Sequence, residues 1–360
     1  MTIAISHGGG SNIIQSQNTS HELLIGSIDG VIRMTLHDSQ WKVTDKTLEG
    51  NHIHAIVQDP QSKVWFCGIE KGGIFASEDD GRTWIKRDVG LTETNVYSLS
   101  VSEIDGTTYI YAGTEPAHLF VSDNLGLTWT EKSALHKQET EAWKFPAPPH
   151  VAHLKHISFH PQNPKVLFAS IEQGGLYRSE DGGDTFIEIK GMYNDVHRLI
   201  SNPNEPSRMF VTGGEGLWLS RDNGDNWENV FTRGSEYGGY PDQLVYMPTN
   251  PNHMIVTAGQ KSPGSWHREG TAETRVSRST DAGETWEVIL DGIDDKFTPS
   301  VEAMTLEESG DSVRIYAATS HGELLWSNNA GESWSKASMT FPPVSKGNHY
   351  EAFQRDVRQS

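Results

Sequence analysis

Residues 77–84 read SEDDGRTW, and the pattern Ser-x-Asp-x-Gly-x-Thr-Trp, or a near variant, returns five more times. The copies are 122–129 (SDNLGLTW), 179–186 (SEDGGDTF), 220–227 (SRDNGDNW), 279–286 (STDAGETW) and 327–334 (SNNAGESW). Their glycines, at 81, 126, 183, 224, 283 and 331, stand 45, 57, 41, 59 and 48 residues apart. That spacing suits one four-stranded propeller blade per copy. A degenerate seventh copy lies upstream, where Ile13, Ile14, Gln15 and Trp41 each precede Ile56, Val57, Gln58 and Trp84 by 43 residues. The motif is a self-contained turn: the Asp or Asn side chain accepts backbone N–H groups, and Gly takes a conformation closed to other residues. Around each copy the chain reads as short strands, for example 64–68, 73–77 and 83–86, with no helical periodicity. The reading is all-β: one seven-bladed β-propeller of four-stranded antiparallel blades filling residues 1–360.

Blades are expected at about 12–46, 52–88, 95–132, 153–190, 196–231, 242–290 and 300–337. Two insertions break the rhythm, 133–151 with Trp143, Phe145 and PAPPH, and 261–274 (KSPGSWHREGTAET). Either the tail 338–360 or residues 2–6 is expected to add an outer strand that closes the ring.

Bulk properties narrow the partners. Acidic residues outnumber basic ones by 48 to 29, a formal net charge of -19, which argues against nucleic acid or an anionic membrane. The lone cysteine, Cys67, excludes an internal disulfide and suits a reducing compartment. The first residues, MTIAISHGGGSN, carry neither a basic start nor a sustained apolar run, so the expectation is a cytoplasmic protein.

The repeated motif resembles the BNR/Asp-box family, found in sialidases and many other propellers, over roughly residues 12–337. The resemblance implies the fold and not an activity. Sialidases use an arginine triad, a Tyr/Glu nucleophile pair, an Asp acid and an N-terminal Arg-Ile-Pro element. The N-terminal region here has no such element, which makes a sialidase-type glycoside hydrolase the least favoured reading.

Chemistry is expected over the central channel, where the repeats diverge. Aligned on Ile13, Ile56, Leu99, Ile157, Leu199, Leu244 and Met304, the residues two positions earlier are Ser11, His54, Tyr97, Lys155, His197, Asp242 and Glu302. Four positions earlier stand Gly9, His52, Asn95, His153, Asp195, Tyr240 and Ser300. Residues two apart on a strand share a side, so these sets form one funnel. Histidine is 16 of 360 residues, so fourteen positions would hold about 0.6 by chance, yet they hold four. Loops on the same face add Glu70, Glu115, His118, Glu172, Glu215, Gln260 and His321.

Imidazoles facing carboxylates compose a divalent-metal site or a metal-free acid/base pair. The metal expectation places Zn, Mn or Ca on His52, His54, His153, His197 and Glu172. Tyr97, His156 and Glu302 are the candidate acids and bases. Lys155 and Arg198, with Trp266, His267 and Arg268 of the second insertion, are expected to hold substrate. The leading function is thus a metal-assisted hydrolase or lyase acting on a small polar molecule or saccharide, by analogy with polysaccharide lyases on seven-bladed propellers. The alternative is a non-enzymatic interaction or assembly-factor propeller, like the photosystem II assembly factors.

Overall fold

The computed structural model describes residues 1–10, 12–139, 141–294 and 297–353. Seven sheets of mostly antiparallel strands form a propeller ring, six with four strands and one with five. The motif turns form as the sequence requires. In the second blade Ser77 Oγ donates to Asp79 Oδ1 at 2.8 Å and accepts from the Gly81 N–H at 2.8 Å, while the Thr83 N–H donates to Asp79 Oδ1 at 2.8 Å. Gly81 sits at φ +77°, which explains the invariable glycine.

The core lies between blades, not within one. Seven apolar clusters each join facing strands of adjacent blades: Ile74 and Phe66 pack with Leu99 and Phe120, and Ile255 and Val276 pack with Met304 and Ile315. Each such fully buried side chain contributes about 1.5–3 kcal/mol. A single blade therefore has no core of its own, and the ring must close for any of them to be stable.

Closure differs from expectation. The innermost strand of the first blade is Thr2–Ile5, not Ile13–Gln15, and it runs parallel to Glu22–Ser27. Ile3 and Ile5 pack against Ala303, Tyr316 and Leu324 of the seventh blade. Ile13–Gln15 instead joins the seventh blade, parallel to Val301–Ser309. The N-terminal region is thus a hairpin rising along the first blade and descending through the channel along the seventh. The described residues of the tail supply no outer strand; residues 345–351 fold over the upper end of the channel. Trp41 does fall in the outer strand Gln40–Thr47 of the first blade, as its spacing predicts.

Candidate functional site in the central channel

Six innermost strands share one local device. Their pairing with the second strand slips by one residue, and the residue passed over is His54, Tyr97, Lys155, His197, Asp242 or Glu302. A bulge re-aims its side chain away from the regular alternation. All six are the positions the repeat alignment singles out, and all six are buried. Ser11, the aligned residue of the first repeat, lies outside the described residues, and Gly9 stands inside the channel.

The channel is filled by the turn of the N-terminal hairpin. The Gly8 N–H donates to His54 O at 2.9 Å, and the Gly10 N–H donates to Leu99 O at 2.7 Å. Arg198 Nη2 donates to His7 O at 3.1 Å and to Gly9 O at 3.3 Å. A Cβ on Gly8 would stand 2.0 Å from Tyr97 O, and one on Gly10 would stand 2.0 Å from Ser100 Oγ. The HGGG run therefore serves close backbone approach. At the top of the turn the His7 ring lies 5.0 Å from that of His54 and 5.4 Å from that of Tyr97.

Below the upper mouth lies a charged network. Lys155 Nζ lies 2.8 Å from Asp242 Oδ1 and 3.2 Å from Glu172 Oε2. Lys346, from the tail, reaches the same Asp242 oxygen at 2.6 Å, and its backbone N–H donates to Glu302 Oε2 at 3.1 Å. Glu302 also meets His349 Nδ1 at 3.2 Å and accepts a short hydrogen bond from Ser300. Burial works to raise the Asp242 pKa, but Lys155 and Lys346 outweigh it and hold the carboxyl well below its usual range. Lys155 is thus committed to two carboxylates, not available to a substrate anion. Lys346 and His349 escaped the sequence reading because they lie outside the repeats that were aligned.

His153 stands at the edge of this network. Its Nε2 lies 2.8 Å from Glu172 Oε2, and its Nδ1 lies 3.4 Å from Glu115 Oε2. Burial alone would lower its pKa; Glu115 and Glu172 overcome that and raise it. The Tyr97 ring stacks on the imidazole, centroids 3.8 Å apart, and the Phe145 ring lies 5.0 Å away. Above them opens a cavity of about 370 Å³ bounded by Phe145, Pro148 and Pro149 of the first insertion and by tail residues 347–351. The carboxylates Glu70 and Glu115 edge it, held by His52 Nδ1 at 3.1 Å and Asn95 Nδ2 at 3.1 Å.

Other expected residues sit elsewhere. Trp266 is buried in the short helix Pro263–Glu269, its ring 5.6 Å from Tyr240 and 5.3 Å from His349, so it braces the tail. Arg268 is exposed and bonds back to Gly264 O and Ser265 Oγ of its own helix. Neither it nor His267 lines the cavity. His156 and Arg198 face the opposite mouth.

The five expected metal ligands do not converge on one point. Among the described residues, two trios bring one ligand atom each within 4.8 Å of one another: His7, His52 and His54, and Glu172, Asp195 and His197. In the first, both His52 nitrogens already face acceptors, Glu70 Oε2 and Ser345 O, the latter at 2.8 Å. In the second, His197 Nδ1 donates to Pro241 O at 2.8 Å, which leaves Nε2 bare and 3.4 Å from Asp195 Oδ1. Yet Glu172 is shared with Lys155, and Lys346 Nζ stands 4.0 Å from it. A divalent ion there would face two ammonium groups at short range. An ion in the second trio would have to displace these lysines, whereas one in the first would have to take His52 from an acceptor but would meet His7 and His54 rings whose nitrogens have no hydrogen-bond partner.

No family model matches the chain. Sortilin from Danio rerio is 27% identical over 154 residues, 41% of this chain and 17% of that protein. Xyloglucanase Xgh74A from Acetivibrio thermocellus is 24% identical over 152 residues, 36% of this chain and 17% of that enzyme. The chain thus spans under a fifth of either relative. Among solved structures, the GH74 enzyme from Niastella koreensis superposes with a TM-score of 0.63 at 19% identity, covering 93% of this chain and 54% of that one. YCF48 bound to D1 peptide gives 0.54 at 14% identity over 90% of this chain and 88% of that one. The propeller is common to all of these structures. A xyloglucanase, a GH74 enzyme, sortilin and a YCF48 bound to D1 peptide stand side by side among the similar proteins, so the fold itself selects no single activity.

Proposed function

We propose that the chain is a hydrolase or lyase acting on a small saccharide-like molecule in the upper-mouth cavity by metal-independent acid/base chemistry. The observation that carries this reading is His153 held between Glu172 and Glu115, with Nδ1 lacking a hydrogen bond. The buried Glu172 fixes the ring orientation and favours the charged imidazole, so His153 serves as the acid that protonates a leaving oxygen. Glu115, a partly exposed carboxylate beside it, serves as the base toward water or a substrate C–H. Phe145 offers a ring face for the apolar side of a sugar, while Tyr97 backs the His153 imidazole, and Glu70 and Glu115 accept from the sugar hydroxyls. No arginine lines this cavity among the described residues, so a sialidase-like hold on a substrate carboxylate has no counterpart.

The test is a panel of aryl glycosides and oligosaccharides, scored for new reducing ends and for unsaturated products. Turnover that His153→Gln abolishes while the variant stays fully folded at the assay temperature supports the reading. Absence of turnover across the panel, together with saturable binding of a peptide at this mouth, would replace it with the partner-binding alternative.

A further inference from the structure

The lower mouth of the channel has a chemistry of its own. A cavity of about 460 Å³ opens where the innermost strands end, and its lining includes His156, Ser158, Phe159, Arg198, Ser201 and Tyr246. The size suits a small-molecule site. The turn of the N-terminal hairpin separates it from the upper cavity. Arg198 is 2% exposed and, among the described residues, is the only ionised side chain in the lining, which holds no Asp, Glu or Lys. In a chain with 48 acidic and 29 basic residues, a buried guanidinium that feels the charge of Asp242 but pairs directly with no carboxylate is unexpected. Its Nη2 is occupied by His7 O and Gly9 O, but Nη1 has no hydrogen-bond partner. Neither ring nitrogen of His156 has one, nor do the Ser158 and Ser201 hydroxyls. Buried donors left unsatisfied are costly, and here four side chains around one cavity share the defect.

We infer that this lower mouth is a second ligand site, which binds the anionic group of a small organic acid on Arg198 Nη1 with His156 and the two serine hydroxyls as further donors. Burial pushes the Arg198 pKa down to about 10, so it keeps its charge at neutral pH. Burial, then the neighbouring guanidinium, keeps His156 neutral, so the site carries one positive charge and accepts one negative charge. Phe159 and Tyr246 give the ligand body an apolar wall. Carboxylates and phosphate monoesters share this chemistry, since both accept charge-assisted hydrogen bonds from a guanidinium.

Titration calorimetry and thermal shift with benzoate and with phenyl phosphate, at constant ionic strength, test the site on the full chain. At least one probe is expected to bind saturably and to raise the melting temperature; which one binds distinguishes the two sources. Ser158→Asp puts a carboxylate in the lining and is expected to weaken binding at least about tenfold. Arg198→Gln should do the same, and Ser158→Asp decides alone if loss of the Arg198 clamp prevents folding. His153→Gln, at the other mouth, should leave binding unchanged, so the proposed upper-site activity can fail without touching this result. No saturable binding of either probe at millimolar concentration overturns the inference. So does binding that survives Ser158→Asp or disappears in His153→Gln.

Discussion

His153 and Glu172 are direct partners across the first two strands of the fourth blade, and their side chains meet at 2.8 Å between Nε2 and Oε2. The pairing repeats in polar form in the preceding two blades, as His52 with Glu70 and Asn95 with Glu115. Only in the fourth blade are both partners fully buried. The two members should respond differently to substitution. His153→Gln is expected to lower turnover by about 10²–10⁴-fold, with a loss of stability smaller than that of Glu172→Gln because Lys155 still faces Glu172. Glu172→Gln strips a carboxylate from both His153 and Lys155 and should cost about 3–5 kcal/mol, read by urea denaturation.

Acid should weaken the protein well above the range where carboxylates titrate. His7, His54, His156 and His197 have pKa values lowered by burial first of all. In the unfolded chain each takes a proton near pH 6.5, which the folded state refuses, so stability falls as pH drops below about 6.5. His153 opposes this, because its pKa is raised: its contribution is complete below about 6.5 and is lost as pH rises through the higher folded value. Four groups outweigh one, so melting temperature should decline from about pH 6.5 downward. His54→Phe should flatten the slope; an unchanged slope would remove His54 from the account.

The plugged channel gives a packing prediction. Gly8→Ala places a methyl 2.0 Å from Tyr97 O, and the neighbouring atoms are backbone. The expected cost is about 1–3 kcal/mol in chemical denaturation. Gly264→Ala is the control, because a Cβ there meets open space on the helix Pro263–Glu269. It should be neutral or stabilising by up to about 1 kcal/mol.

Lys346 ties the tail to the ring by meeting Asp242 and Glu302 together. Lys346→Ala is expected to cost about 3 kcal/mol, since it leaves buried carboxylates short of a counter-charge. The same variant should speed proteolysis after residue 344, which limited digestion and mass spectrometry would detect.

Metal analysis of purified protein should return less than one equivalent of zinc, manganese or calcium, and a chelator should leave the melting temperature unchanged. A stoichiometric ion would return the expected histidines to a ligand role.

The legible part of the site lay where local pattern and ring symmetry coincide. Repeat alignment alone located His54, Tyr97, Lys155, His197, Asp242 and Glu302, because a recurring bulge acts at the same offset in each blade. Where the other expected residues fall is not governed by the repeats. Arg198 and His156 lie on the same strands as His197 and Lys155, but one residue past a bulge, and they serve the other mouth. Trp266 and Arg268 belong to an insertion whose helix braces the tail, a contact no spacing announces.

By itself the sequence determined the blades, because each Ser-x-Asp-x-Gly turn closes its own hydrogen bonds within eight residues and needs no distant partner. It determined too which innermost-strand residues of the second to seventh blades reach the channel. The tertiary structure decided the rest. Residues 2–10 and 12–15 became strands and a plug, and Lys346 and His349 joined carboxylates more than forty residues away in sequence. Such contacts form only when the closed ring creates a narrow, dry channel, where a lysine finds its stabilising partner by enclosure and not by sequence order.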